Sequence, residues 1–204
     1  MQDDGVLLYR RFLNGDEGGL EELITLYQRG LFRFIYGYVR DEGLAEDIMQ
    51  DVFVELYYKR NFQEKENASL KTYLYTVARN KSLNVIKKRK RKKEVSLDAL
   101  MEKGETPASS DDALSLDAQE ALYALSTDEQ IESAENAKAL HTAIGNVKEE
   151  YREVLLLRYF ENLSPERIAQ ITKRKPKQVY NLLARGRAAL KEELKKGGVD
   201  NEDF

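Results

Sequence analysis

The stretch from Pro176 to Leu190 constrains what this chain can fold into more than any other feature of its 204 residues. At helical spacing Val179, Leu182, Leu183, Gly186 and Leu190 share one side, while Lys177, Asn181 and Arg185 recur every four residues on the other. Pro176 fits the first helical position, where the backbone N–H has no partner within the helix anyway. A shorter helix is expected from Ser164 to Ile171, with Ser164 as its cap and Pro165 opening it. The two are separated only by Thr172 to Lys175. Paired short helices around a tight turn, the second apolar behind and cationic in front, form the pattern of a helix-turn-helix, whose second helix enters the DNA major groove. Lys173, Arg174, Lys175, Lys177, Arg185 and Arg187 cluster around the turn and outer face as phosphate anchors would. Gln178 and Asn181 can pair with adenine edges, and Arg185 with guanine. The plainer reading of such a segment is a helical hairpin with a solvated basic face.

Composition supports helices throughout. Leu, Glu, Lys, Ala and Arg are abundant, only three prolines occur, and no alternating β-branched run is sustained, so an all-α protein is expected. The formal net charge of −3 hides a strong segregation. From Asn67 through Lys93 there are ten Lys/Arg and no acid. From Glu94 through Ala137 there are twelve acids and one lysine, and from Ser164 through Lys196 ten cations and three acids. Two cationic blocks separated by an anionic one suggest two nucleic-acid contacts joined by a segment with another purpose. With no cysteine there is neither a disulfide framework nor a thiolate metal site. No secretory leader opens the chain and no apolar run approaches a bilayer-spanning length, so a cytoplasmic protein without membrane insertion is expected.

Hydrophobic spacing divides the chain into residues 1–93, a helical domain; 94–137, an acidic flexible linker; 138–196, the helix-turn-helix domain; and a disordered tail, 197–204. In the first domain a short helix, Leu7 to Leu13, ends at Asn14-Gly15, with Asp16 placed to cap the next. That second helix carries Leu20, Leu23, Ile24, Tyr27, Leu31, Phe34, Ile35 and Tyr38 and stops at Asp41-Glu42-Gly43. Leu44 to Tyr58 follows, with Ala45, Ile48, Val52 and Leu56 inward. After a polar loop, Asn61 to Ser69, a long helix runs toward Lys93 and ends in seven consecutive cations, which favour the helix dipole but repel one another. An acidic linker of this length more readily separates domains than threads one, and its charge suits an imitation of nucleic acid.

Three constellations carry chemistry. The helix-turn-helix is the first. In the second, Lys71, Thr72, Arg79, Asn80 and Lys81 are interleaved with Tyr73 and Tyr75. A cationic groove with stacking rings suits single-stranded nucleic acid, although a packed core helix explains Tyr73 and Leu74 equally well. Lys87, Lys88 and Arg89 begin the run that would attract duplex phosphates. In the third, Glu46, Asp47 and Gln50 share a helix face with Phe53, Val54 and Tyr57, which either lie under a neighbouring helix or anchor a protein partner. Catalysis finds little support: His141 is the single histidine and has no ligand-spaced companion, no phosphate-loop or metalloprotease motif occurs, and no cofactor is expected.

These residues resemble a known family. Leu44-Ala45-Glu46-Asp47-Ile48-Met49-Gln50-Asp51-Val52-Phe53 resembles the part of the second conserved region of bacterial sigma factors that contacts the polymerase clamp. Ser69 to Asn80 resembles the stretch that melts and reads the minus-ten promoter element. Tyr151 to Tyr159, with the helix-turn-helix, resembles the fourth region, which reads the minus-thirty-five element. With only those two domains the chain is similar to the extracytoplasmic-function (ECF) sigma factors. The resemblance implies a non-enzymatic subunit of RNA polymerase that directs promoter-specific initiation. Glu46, Asp47, Gln50, Asp51 and Phe53 would touch core polymerase. Asn61, Lys71, Thr72, Tyr73, Tyr75, Arg79, Asn80, Lys87, Lys88 and Arg89 would serve the minus-ten element. Arg174, Lys175, Lys177, Gln178, Asn181, Arg185 and Arg187 would serve the minus-thirty-five element. An anti-sigma factor is implied as a further partner. Three departures stand out: Tyr73 where tryptophan is common, Lys173 where glycine is common in the turn, and Asn146-Val147 in place of Leu-Pro. The rival expectation is a helix-turn-helix regulator that binds duplex DNA without polymerase.

Overall fold

A computed structural model describes residues 4–59, 62, 69–101, 140 and 142–197. Every regular element among them is helical. The N-terminal domain has α1 (Asp4–Leu13), α2 (Gly18–Val39), α3 (Glu42–Lys59) and α4 (Leu70–Met101). The C-terminal domain has α5 (Glu149–Leu155), a π-helical turn (Leu156–Phe160), α6 (Pro165–Thr172) and α7 (Pro176–Lys196).

α2 is the central beam. Leu23, Leu31, Phe34 and Ile35 are almost wholly buried, and α1, α3 and α4 pack around it. α1 crosses α2 at close range: a Cβ on Gly19 would lie 2.6 Å from the Leu8 carbonyl oxygen, so only glycine fits there. Asp16 caps α2 as expected: its carboxylate accepts from the Gly18 N–H at 3.1 Å, while Glu17 already has helical backbone angles. The stop at residues 40–43 has a clear cause. Arg40 turns left-handed with φ 50°, and Asp41 accepts the Leu44 N–H at 2.9 Å, which opens α3.

One expectation is corrected. The long helix does not end near Lys93: α4 continues to Met101. Residues 94–101 contain neither Gly nor Pro, and Glu94, Leu97, Ala99, Leu100 and Met101 are good helix formers. The two domains also pack on each other. α4 packs against α6, and α2 against α5 and the π-turn, so that Leu31, Leu74, Tyr75, Val154, Leu157 and Ile168 belong to one continuous core. Asn61, His141, the remainder of the acidic linker and the tail from 198 lie outside the described residues.

Candidate nucleic-acid and polymerase interfaces

The helix-turn-helix forms as its spacing predicts. Ser164 accepts the Arg167 N–H at the start of α6, and both prolines sit in first turns. Lys173 turns the chain with φ 55°, a left-handed conformation that costs a side-chain-bearing residue free energy and that glycine adopts readily. Tyr180 braces the pair by donating to Glu166 at 3.2 Å. Behind α7, Val179, Leu183 and Gly186 are buried; in front, Lys175, Lys177, Asn181, Arg185 and Arg187 are exposed. Gln178 has an additional task, since its side-chain oxygen accepts the Lys175 N–H at 2.9 Å and caps α7. Arg174 differs from its neighbours: it points back into the protein.

On α3, Glu46, Asp47, Gln50 and Asp51 are exposed along one side, as a docking surface requires. Lys81 restrains part of it, lying 3.5 Å from Asp51 and 3.2 Å from Glu55. Phe53 is not on that surface. It is 7% exposed and belongs to the core, because the stripe of Ala45, Ile48, Val52 and Leu56 is wide enough to draw it in. The apolar groups left outside on this helix are Val54, Tyr57 and Tyr58.

The start of α4 departs most from expectation. Tyr75, read as a stacking ring, is wholly buried beside Phe34, their ring centroids 5.1 Å apart. Burial, followed by the neighbouring Glu161 carboxylate, holds its phenol well above its usual pKa. Thr72 is buried as well, at 9% exposure. Tyr75 extends the inward stripe of Leu74 and Ala78, while Thr72 is buried on the other side of α4, so neither presents itself to a ligand here. Tyr73 is half-buried against Phe62 at 5.7 Å, and Asn80 is partly exposed. Lys87, Lys88 and Arg89 face solvent, and Arg89 pairs with Asp41 at 2.8 Å.

Lys71 and Arg79, the cations expected to hold DNA, are instead occupied by the C-terminal domain. Arg79 donates to Glu153 at 2.5 Å, Tyr38 donates to the same carboxylate oxygen, and Arg174 donates to the other. Glu153 is only 4% exposed. Burial, with this carboxylate second, keeps the Tyr38 phenol protonated well beyond its ordinary range. Lys71 donates to both the backbone oxygen and the carboxylate of Glu161, each at 2.9 Å. Arg152 adds a third tie: its guanidinium serves the carbonyls of Ile144, Gly145 and Val147 and reaches across to that of Gly37 on α2 at 2.9 Å. Sequence reasoning overlooked Tyr38, Arg152, Glu153 and Glu161. The signal was there, because Arg152 and Glu153 stand beside Val154 and Leu155 where the helix must face inward, and buried charges need partners.

The first of the two family models that the chain matches is "Sigma-70 region 2", over residues 23–92. The second is "Sigma-70, region 4", over residues 137–190. The ECF RNA polymerase sigma factor SigM of Bacillus subtilis is 28% identical over 183 residues, covering 90% of this chain and 99% of that protein. The RNA polymerase sigma-H factor of Pseudomonas aeruginosa is 27% identical over 199 residues, covering 95% of each. Among solved structures, the sigma factor RpoE from Bartonella quintana, in complex with the anti-sigma factor NepR, shares the fold at TM-score 0.63 and 21% identity, over 89% of this chain and 98% of that one. CnrH, in complex with the cytosolic domain of CnrY, shares it at TM-score 0.61 and 15% identity, over 96% of this chain and 99% of that one.

Proposed function

The chain belongs to the sigma-70 family, in its extracytoplasmic-function group, and on that premise we propose how its surfaces divide the work. It binds core RNA polymerase and directs promoter-specific initiation. Region 2 followed by region 4 in one chain is the observation that carries this reading. A duplex-binding regulator independent of polymerase accounts only for the second of them.

The acidic side of α3, Glu46, Asp47, Gln50 and Asp51, meets core polymerase, with Tyr57 and Tyr58 as apolar anchors at its end. Lys71, Arg79 and Asn80, together with Asn61, hold the opened minus-ten strand. Lys87, Lys88 and Arg89 attract the adjoining backbone. Tyr73 is the ring best placed to stack on a base; Thr72 and Tyr75 support it from the core. Lys177, Asn181 and Arg185 on the open side of α7 read the minus-thirty-five major groove while Lys175 and Arg187 anchor phosphates.

Strand opening uses binding energy, since captured bases offset the few kcal/mol lost on unstacking, and needs no bond-making chemistry from this chain. The setting is the cytoplasm, where polymerase works. An anti-sigma factor, such as the NepR bound to RpoE, would act by covering these faces. In transcription assays with core polymerase, the full chain should start transcripts from its promoter, and Asp47→Arg with Gln50→Arg should abolish core binding while leaving the fold intact. Initiation undiminished in that variant would remove the α3 assignment.

A further inference from the structure

A cavity of about 510 Å³ opens between the end of α2, the distal part of α4 and the segment that leads into α5, within the size range of small-molecule sites. On one side of it, Ile86, Arg89 and Lys90 share a face of α4 at spacings of three and four, which turns Lys87 and Lys88 of the same basic run elsewhere. The opposite wall, Gly145 to Lys148, is held in place by two arginines. The Gly145 carbonyl accepts from Arg40 at 3.2 Å and from Arg152 at 2.7 Å, and Arg152 also serves the Val147 carbonyl at 2.9 Å. The cavity is therefore formed before any ligand arrives, and ordering it costs a ligand little.

Its lining has two chemistries. Val39, Ile86 and Val147 make an apolar floor, of which Val39 and Val147 are buried. Around that floor stand Arg40, Arg89, Lys90, Lys148 and Arg152, against a single lining carboxylate, Glu149. Asp41 engages Arg89 from outside at 2.8 Å, whereas Lys90 and Lys148 are exposed at the mouth. Cations gathered on a concave surface concentrate an attractive field for anions, most strongly for those with several charges. An apolar floor adds nothing for a bare inorganic ion, but it suits the body of a larger molecule. Asn146, exposed beside it, offers both a donor and an acceptor to a base edge. A DNA duplex could only lie across such a mouth, not enter it.

We propose that this cavity is a nucleotide site that takes a nucleoside triphosphate, with the phosphates against Lys90, Lys148 and Arg89 and the nucleoside over Val39, Ile86 and Val147. The inference is independent of the residues assigned above to polymerase and promoter, apart from Arg89, which both readings use.

The test is calorimetric titration of the full chain with GTP, ATP and inorganic tripolyphosphate. At least one of the two nucleotides should bind saturably with one-to-one stoichiometry, and tripolyphosphate about tenfold more weakly. Lys90→Ala/Lys148→Ala, which removes only exposed side chains, should weaken nucleotide binding about tenfold or more. Lys87→Ala/Lys88→Ala removes as much charge from the other side of α4 and should leave it within about twofold.

Absence of one-to-one binding by both nucleotides would overturn the proposal. Equal losses in the two double variants would do the same, since the protein's general basic field would then be the cause. Tripolyphosphate binding as tightly as the nucleotides would reduce the cavity to a phosphate cradle and remove the nucleoside from it. If Lys90→Ala/Lys148→Ala leaves GTP and ATP untouched and weakens a short DNA duplex instead, these cations belong to the promoter backbone and the nucleotide site falls.

Discussion

The outer face of α7 and the first turns of α4 are built alike, with arginine, lysine and asparagine set on a helix whose back is apolar. They differ in what they meet. Lys177, Asn181 and Arg185 face water, whereas Lys71 and Arg79 are neutralised by Glu161 and Glu153 and lie partly under the other domain. A cation in water costs little to remove and is worth only what its ligand gives it. A cation buried against a carboxylate is part of the protein's own stability, and removing either partner leaves the other stranded.

The largest break in that comparison should come from Glu153→Ala. It leaves Arg79 and Arg174 facing each other without their acid, and loss of such a buried partner costs about 3–5 kcal/mol. The loss should appear in denaturant unfolding as an earlier transition or a lower midpoint. Glu153→Gln should recover part of it by keeping hydrogen bonds. Midpoints unchanged within about 0.5 kcal/mol, the range of an ordinary surface substitution, would mean the cluster is not the strong contact its burial implies.

Arg185→Ala tests the other face and should reverse the pattern. Stability should stay within about 0.5 kcal/mol of the parent, because the side chain is exposed. Holoenzyme discrimination at one upstream promoter position should fall by about 1–3 kcal/mol if the guanidinium reads a base. A uniform weakening across all promoter sequences, with a shallower salt dependence, would reassign Arg185 as a phosphate anchor.

The same contrast explains what could be read in the sequence. The reading helix was legible because its two faces have opposite solvation, and a period of 3.6 separates them cleanly: Val179 and Leu183 in, Asn181 and Arg185 out. α4 was legible as a helix but not as a site. Polar, aromatic and basic residues share its first turns, and periodicity alone does not say which tyrosine lies under a neighbour. Tyr75 follows Leu74 into the core because two domains, not one, close over that helix. Phe53 was misplaced for a similar reason, at the margin of a stripe whose width is set by packing. The contact between domains depends on pairs such as Tyr38 with Glu153, 115 positions apart, which no local pattern contains.

A smaller effect is expected at the corner of the helix-turn-helix. Left-handed Lys173 carries conformational strain that glycine would relieve, at the cost of a more flexible unfolded chain. Lys173→Gly should therefore stabilise the C-terminal domain by about 0.5–1 kcal/mol in thermal unfolding, with the orientation of α7 unchanged. A destabilised variant would show that the exposed lysine stem packs usefully on the turn.

The smallest effect concerns the far end of α4, where the basic run leaves the core. Asp41 accepts from Arg89 and from the Leu44 N–H, and these bonds, the arginine first, hold its carboxyl below the ordinary value of 3.8. A carboxyl depressed in the folded state adds stability above its unfolded pKa and loses it as pH falls through the folded one. The contribution should therefore be complete near neutrality and fade only below about pH 4. Because both partners are substantially exposed, screening leaves it small, and added salt should shrink it further. In an NMR titration the Asp41 carboxyl should have a midpoint below those of exposed aspartates, and Arg89→Ala should raise it without abolishing the shift, since the Leu44 N–H remains. A midpoint unmoved by that substitution would mean that Arg89, like Lys87 and Lys88, stands free for DNA. The run at this end of α4 would then belong wholly with the open face of α7 rather than with the cations paired to Glu153 and Glu161.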